Sequence, residues 1–252
     1  MLLTLDIGNT NIKSALFDEN NLIDFFIHSD VNEAVKYLNT KPFTDTAICS
    51  VNPSVERTLS DKISKKGISI FRTNIQNRFN LKIKYETPDT LGMDRVCSAV
   101  GALEIATKEK LIVKNQYLLT IDFGTASTIN VVSPEGSFIG GLISPGINTM
   151  LKSLNEKTAQ LPLPEVNSYK GVIGNSTSSS IISGVITATI GMINEIVNQL
   201  RADSNQILPL IFTTGGNARF ILPHIKHKKF FEEALVLKGL KVIYELNKIK
   251  PG

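Results

Sequence analysis

Apolar and polar residues alternate in short blocks from the first residue onward. Leu2, Leu3 and Leu5 run into Asp6, and two further blocks follow at 11–17 and 22–28, which predicts three consecutive strands joined by turns at Gly8-Asn9 and Asp18-Glu19-Asn20-Asn21. The spacing then lengthens. Residues 31–38 read as a helix, 46–51 as a strand, 54–66 as a helix capped by Ser54, and 68–72 as a strand. Part of this order returns later: strands at 118–122, 127–132 and 137–141, with Ser133-Pro134-Glu135-Gly136 as a turn. A helix at 147–154, a Pro-rich connector at 161–164, a long helix at 178–201 and a strand at 208–213 follow, then a short helix closed by Pro223 and a last helix at 234–246. In the long helix Ile182, Val185, Ile186, Thr189, Ile193, Ile196 and Val197 share one face, and Gly184 and Gly191 predict room for a close approach. On composition alone the Ser-rich stretch 174–180 would read as a flexible loop, although its last three residues also open the helical pattern that begins at about 178. Strands mixed with helices predict an α/β fold in two related halves, 1–115 and 116–252.

The two halves share one detail that carries chemistry. Asp6-Ile7-Gly8-Asn9-Thr10 and Asp122-Phe123-Gly124-Thr125-Ala126 each close an apolar strand with an acid and a glycine turn. A carboxylate is thereby fixed at a strand end. Glycine lets a phosphate approach bare backbone, and Asn9, Thr10 and Thr125 offer short polar groups to its oxygens. A third strand end, Thr214-Gly215-Gly216, can receive a nucleotide's sugar and base. One such turn is weak evidence, since turns use these residues freely; two in equivalent places, with the later Gly-Gly, point to a nucleotide. No Gly-x-x-x-x-Gly-Lys-Ser/Thr run and no Gly-x-Gly-x-x-Gly run occurs, so a P-loop or a dinucleotide site is not expected.

Composition narrows the partners. A net charge of +4 in 252 residues, with basic residues scattered apart from 226–229, gives no nucleic-acid footprint. Asp6 interrupts the first apolar run before a signal-peptide core forms, and no uninterrupted apolar run has the roughly 18 residues a membrane span needs. The two cysteines, Cys49 and Cys97, suggest a reduced, cytoplasmic setting and buried structural thiols. His224 and His227 sit among Lys226, Lys228 and Lys229, which favours a solvated basic patch over a metal site.

A last constellation, Tyr85-Glu86-Thr87-Pro88-Asp89-Thr90-Leu91-Gly92-Met93-Asp94-Arg95, leads into a helical pattern. It reads either as a helix start whose Asp94 and Arg95 make surface contacts, or as a carboxylate that accepts an alcohol proton beside a planar cation that holds an acidic substrate.

Taken in order, Asp6-Ile7-Gly8-Asn9-Thr10-Asn11, Tyr85-x-x-Pro88-x-x-Leu91-Gly92-x-Asp94-Arg95, Asp122-Phe123-Gly124-Thr125-Ala126, Gly140-Gly141-x-Ile143-x-Pro145-Gly146 and Thr214-Gly215-Gly216 resemble type III pantothenate kinase, a member of the sugar kinase, Hsp70 and actin superfamily. The resemblance implies two ribonuclease-H-like domains and ATP-dependent phosphorylation of pantothenate, the first step towards coenzyme A. It implies ATP binding by Asp6, Ile7, Gly8, Asn9, Thr10, Asn11, Ile12, Lys13 and Thr125. Tyr85, Gly92, Met93, Asp94 and Arg95 would line the pantothenate pocket, with Asp94 as proton acceptor. Thr177 would reach that pocket from the second subunit of a homodimer. Asp122 would bind a monovalent cation, potassium or ammonium. Asp6 is placed to hold a hydrated magnesium ion on the ATP phosphates, because magnesium keeps most of its waters and needs few protein ligands. Met93 stands where the family usually has a smaller residue, and Ser178-Ser179-Ser180 is unusually polar. The competing readings are a kinase for another small hydroxylated substrate and a non-catalytic regulatory relative.

Overall fold

The computed structural model describes residues 1–248. Packing divides the chain into two units, one of residues 1–111, 136–139 and 234 onward, the other of 112–135 and 140–233. A single cut at 115/116 therefore differs from this division at the boundary itself, which falls at 111/112, at the short 136–139 segment and at the last helix.

In the first unit β1 (Leu2–Ile7), β2 (Ile12–Asp18), β3 (Asn21–His28), α1 (Val31–Thr40), β4 (Asp45–Ser50), α2 (Pro53–Ser64) and β5 (Ser69–Arg72) build a sheet of order β3-β2-β1-β4-β5. β1 is antiparallel to β2 and parallel to β4, and β4 is parallel to β5. Alternation sets the two faces. Leu3, Leu5 and Ile7 point into a core with Ala34 and Leu38 of α1 and Leu59 and Ile63 of α2. Asp30 caps α1, its carboxylate accepting from the Asn32 and Glu33 amides at 2.7 and 2.9 Å. The cap of α2 is Asn52, whose Oδ1 accepts from the Val55 amide at 3.3 Å; Ser54, expected there, lies inside the helix and donates to the same Asn52 oxygen. Next come β6 (Lys82–Ile83), a 3-10 turn at Pro88–Thr90 and α3 (Met93–Lys108).

The second unit repeats the plan. β7 (Leu118–Phe123), β8 (Ala126–Val132), β9 (Ser137–Pro145), α4 (Ile147–Lys157), α5 (Thr177–Asp203), β10 (Leu210–Thr214), α6 (Ala218–Ile221) and β11 (Phe230–Phe231) follow in sequence. The strand order β9-β8-β7-β10-β11 matches that of the first unit strand for strand, with the same antiparallel and parallel neighbours around the central strand. Leu119, Ile121 and Phe123 face a core shared with α4, α5 and α6. By length and hydropathy α5 meets the test for a membrane-spanning helix, and Ile182, Ile186, Ile193 and Val197 bury one of its faces in this core. Gly184 and Gly191 meet nothing within 4 Å, so the close approach predicted for them is absent among the described residues.

The last helix, α7 (Leu235–Asn247), returns to the first unit. It lies over the sheet face opposite α1 and α2, where Thr4, Ala15 and Ala47 are adjacent in register, small and fully buried. Leu237 packs there on Ala15 and Phe17. Against α3 the backbones touch: a Cβ at Gly239 would stand 1.8 Å from the Cys97 carbonyl oxygen, and one at Gly101 2.5 Å from that of Leu235.

Candidate active site

In the first unit the chain leaves β1 through Asp6, half-buried, and Ile7, fully buried. The Gly8 amide donates to the Asn11 carbonyl at 3.1 Å and closes the turn. Asn9, Thr10 and Asn11 are exposed on it, Ile12 is buried, and Lys13 stands opposite Asp6 across the β1–β2 pair. Residues 6–13, eight of the nine expected to bind ATP, therefore differ in exposure. Ile7 and Ile12 are core side chains that fix the hairpin and offer a ligand only their backbone. The polar groups of 8–11 form the exposed rim.

On the other flank of β1, Cys49 of β4 is the register partner of Asp6. A hydrogen bond with Cys97 of α3, then burial, then the negative charges of Asp6 and Asp94 push the Cys49 thiol well above its ordinary value. One neutral thiol thus lies within electrostatic reach of both Asp6 and Asp94, which are far apart in sequence. Both cysteines are buried and unbridged.

Gly92 precedes α3 with no side-chain cap, and Asp94 in the first turn turns its Oδ1 back to the Arg95 amide at 2.9 Å. A Cβ at Gly92 would stand 2.5 Å from that oxygen, so glycine leaves the carboxylate its place. Asp94 and Met93 are half-buried. Arg95 is only 6% exposed, which corrects the surface-contact reading. Its guanidinium lies 5.8 Å from the centre of the Tyr85 ring and 5.7 Å from that of Phe138.

In the second unit Asp122, next to last in β7, lies between Thr128 of β8 and Thr214 of β10 in register. The Gly124-Thr125 turn follows, with Thr125 exposed. The Thr125 carbonyl accepts from the Gly146 amide at 2.9 Å and the Thr149 hydroxyl at 2.7 Å, which ties the turn to the start of α4. A Cβ at Gly146 would lie 2.1 Å from the Gly124 carbonyl oxygen, so only glycine fits. Gly215 has φ +99°, and a Cβ there would meet Asp122 Oδ1 at 2.4 Å. The Asn217 amide donates to the Phe123 carbonyl at 3.1 Å, and Asn148 bridges to Asn217 at 3.2 Å. The duplicated turn and the later Gly-Gly are therefore joined in this unit into one cradle of backbone. Beside it lies a cavity of about 500 Å³ lined by Lys152, Glu165, Asn167, Gly216, Asn217 and Phe220 among others, a size suited to a nucleoside.

Thr177, exposed, is the first residue of α5. Ser176 caps this helix and Ser179 returns the bond to the Ser176 amide at 2.8 Å, so 177–180 is helix rather than the loop that composition predicted. His224 meets Tyr169 edge to face, with ring centres 4.8 Å apart, and His227 meets Asn194 Oδ1 at 3.1 Å.

Sequence reasoning passed over Phe138, Asn148 and Thr149. Phe138 carries no local signal, because its partners lie in distant segments. Asn148 and Thr149 come two and three residues after Gly146, and a glycine opening a helix after a strand was a readable sign.

Two units of identical strand order, each with an acid and a glycine turn closing its central strand, define the fold of the sugar kinases and actin-like ATPases. The chain is similar in structure to a Campylobacter jejuni protein named for the Baf family of transcriptional activators, at 19% identity and a TM-score of 0.60 over 96% of this chain and 97% of that one. It is also similar to a Listeria monocytogenes protein designated as an N-acetylmannosamine kinase, at 14%, 0.52, 97% and 98%, and to the polyphosphate/ATP-glucomannokinase of an Arthrobacter strain, at 12%, 0.50, 98% and 99%. The sequence profile of type III pantothenate kinase matches residues 2–199, and the chain belongs to that family. Fold and family are those of ATP-using kinases.

Proposed function

We propose that this chain transfers the γ-phosphoryl group of ATP to the primary hydroxyl of pantothenate, yielding ADP and 4'-phosphopantothenate on the route to coenzyme A. The observation that carries the reading is the start of α3, where a half-buried Asp94 precedes a buried Arg95 flanked by Tyr85. Asp94 accepts the hydroxyl proton as the substrate oxygen bonds to phosphorus and the bond from that phosphorus to the bridging oxygen of ADP breaks. Arg95 faces the substrate carboxylate, with Tyr85, Gly92 and Met93 as walls. Most of the rate enhancement comes from placing the alcohol in line and neutralising phosphate charge, since the transition state is loose.

In the first unit the amides and short side chains of the turn at 8–11 suit phosphate oxygens; within the second unit Thr125 offers a hydroxyl to phosphate and the cavity beside Gly216 suits a nucleoside. The half-buried Asp6 carboxylate beside an exposed turn suits a hydrated magnesium ion, which needs few protein ligands and would offset phosphate charge. Asp122, with Thr128 and Thr214 on its flanking strands, supplies hard oxygen donors suited to potassium or ammonium. The outer face of α5, where Gly184 and Gly191 are uncovered, supports a homodimer in which Thr177 of one copy serves the pocket of the other.

ADP release measured with a panel of alcohols, with and without potassium, tests the reading. Pantothenate should be the best acceptor, and Asp94→Asn should lower kcat by about 10² to 10⁴ without changing the far-UV circular dichroism. Turnover of hexoses with none of pantothenate would transfer the reading to another hydroxylated substrate, and no turnover of any acceptor would leave a regulatory relative.

A further inference from the structure

Residues 136–139 come from the turn and first residues of β9, yet they pack with the first unit. Lys82 and Ile83 of β6 pair in parallel with Ser137 and Phe138. The Lys82 amide donates to the Gly136 carbonyl at 3.0 Å and the Lys84 amide to the Phe138 carbonyl at 2.9 Å, which fixes the backbone one residue before Tyr85. The Phe138 side chain is fully buried. Its ring meets that of Tyr85 at 67° with centres 6.1 Å apart, and the Arg95 guanidinium lies within 6 Å of both ring centres. Two aromatic rings inclined at 67° thus flank one buried cation.

We propose that Phe138 is a positioning residue for the acidic acceptor: its ring and the Tyr85 ring hold the Arg95 guanidinium in the orientation that meets a carboxylate. This rests on the kinase reading above, with an addition that reading does not contain. An arginine carries its charge on a long chain with many rotamers, and fixing it before the substrate arrives removes an ordering cost from binding. A ring face attracts the cation without competing for the N–H groups that a carboxylate needs. Leucine of similar bulk would fill the space and lose the attraction.

Phe138→Leu, measured by steady-state kinetics, should raise the KM for pantothenate roughly three- to thirtyfold, the range of a desolvated cation–π contact, while kcat and the KM for ATP change less than threefold. With the neutral analogue in which the carboxylate is replaced by a primary alcohol, the same variant should show no comparable rise. Equal effects on both acceptors, or none on pantothenate, would overturn the proposal and leave Phe138 a packing residue. If Phe138→Leu does not fold, Phe138→Met takes its place. Independently of any acceptor, the Arg95 Nε–Hε resonance should move and exchange faster with water in the variant; an unchanged resonance also overturns the proposal. Should the wild type neither bind nor turn over pantothenate, the kinase reading fails on substrate, and the resonance still decides what Phe138 does to Arg95.

Discussion

Replacing Gly239 by alanine tests the contact that holds α3. In an isolated helix the change would be favourable by about 1 kcal/mol, because alanine is the better helix former. Here the added Cβ would stand 1.8 Å from the Cys97 carbonyl oxygen, 2.6 Å from its carbon and 2.9 Å from the Gly101 amide nitrogen. All three are backbone atoms, so no side chain can swing aside. Even a 3.0 Å contact with the oxygen requires α3 and α7 to part by about 1.2 Å at that point. Overpacking of this kind costs about 1–3 kcal/mol or more, and the overlap with fixed backbone places Gly239→Ala at the upper end. After the propensity gain a net loss of about 2 kcal/mol remains, or about 4–8 °C in Tm for a chain of this size. Gly101→Ala, whose nearest contact is 2.5 Å, should lose less. Thermal unfolding followed by circular dichroism reads both, and kcat should fall in parallel, because α3 begins at Met93 and carries Asp94 and Arg95. If Gly239→Ala melts at or above the wild-type temperature, the two helices do not rely on that close approach and the reasoning is wrong.

Two further tests address the first unit, beyond those given above for Asp94 and Phe138. Burial holds His28 below its ordinary value, only partly offset by Glu33, and its ring meets Ser14 Oγ at 2.8 Å. The unfolded chain then binds a proton below about pH 6.5 that the folded chain resists, so this contribution to stability is intact above that pH and is lost as pH falls through it. Urea midpoints across pH 5 to 8 should show a steeper acid-side decline in the wild type than in His28→Gln, and equal slopes would count against the assignment. Asp30→Ala removes the acceptor for two α1 amides and should lower stability by about 1–2 kcal/mol, read as a shifted urea midpoint with an unchanged slope.

The repeated half-fold was readable because both central strands announce themselves twice, by alternation and by the acid–glycine turn that ends them. β1 and β7 fall within a residue of their expected bounds. Helix ends were harder. Asn52 and Ser54 are both good caps two residues apart, and the structure gives the role to Asn52 while Ser54 donates to it. At 174–180 a serine-rich stretch looked like a loop, but two of its serines satisfy each other's backbone as a capping box. Contacts spanning the chain left almost no trace. Nothing local to Phe138 signals Arg95, and only the glycines at 101 and 239, odd residues for helix interiors, hint that α3 and α7 touch. The placement of Arg95 is the clearest case: sequence named the residue, and packing decided that it is buried.

The return of α7 to the first unit bears on the order of events during synthesis. Strands β1 to β5 leave the ribosome early, yet the layer over Thr4, Ala15 and Ala47 arrives only after residue 235 has been made. Until then that side of the nascent sheet lacks α7, and α3 lacks the helix it packs against at Gly101. A stalled or prematurely released product would therefore carry a complete second unit beside an unfinished first one, a natural client for chaperones and a ready target for proteolysis.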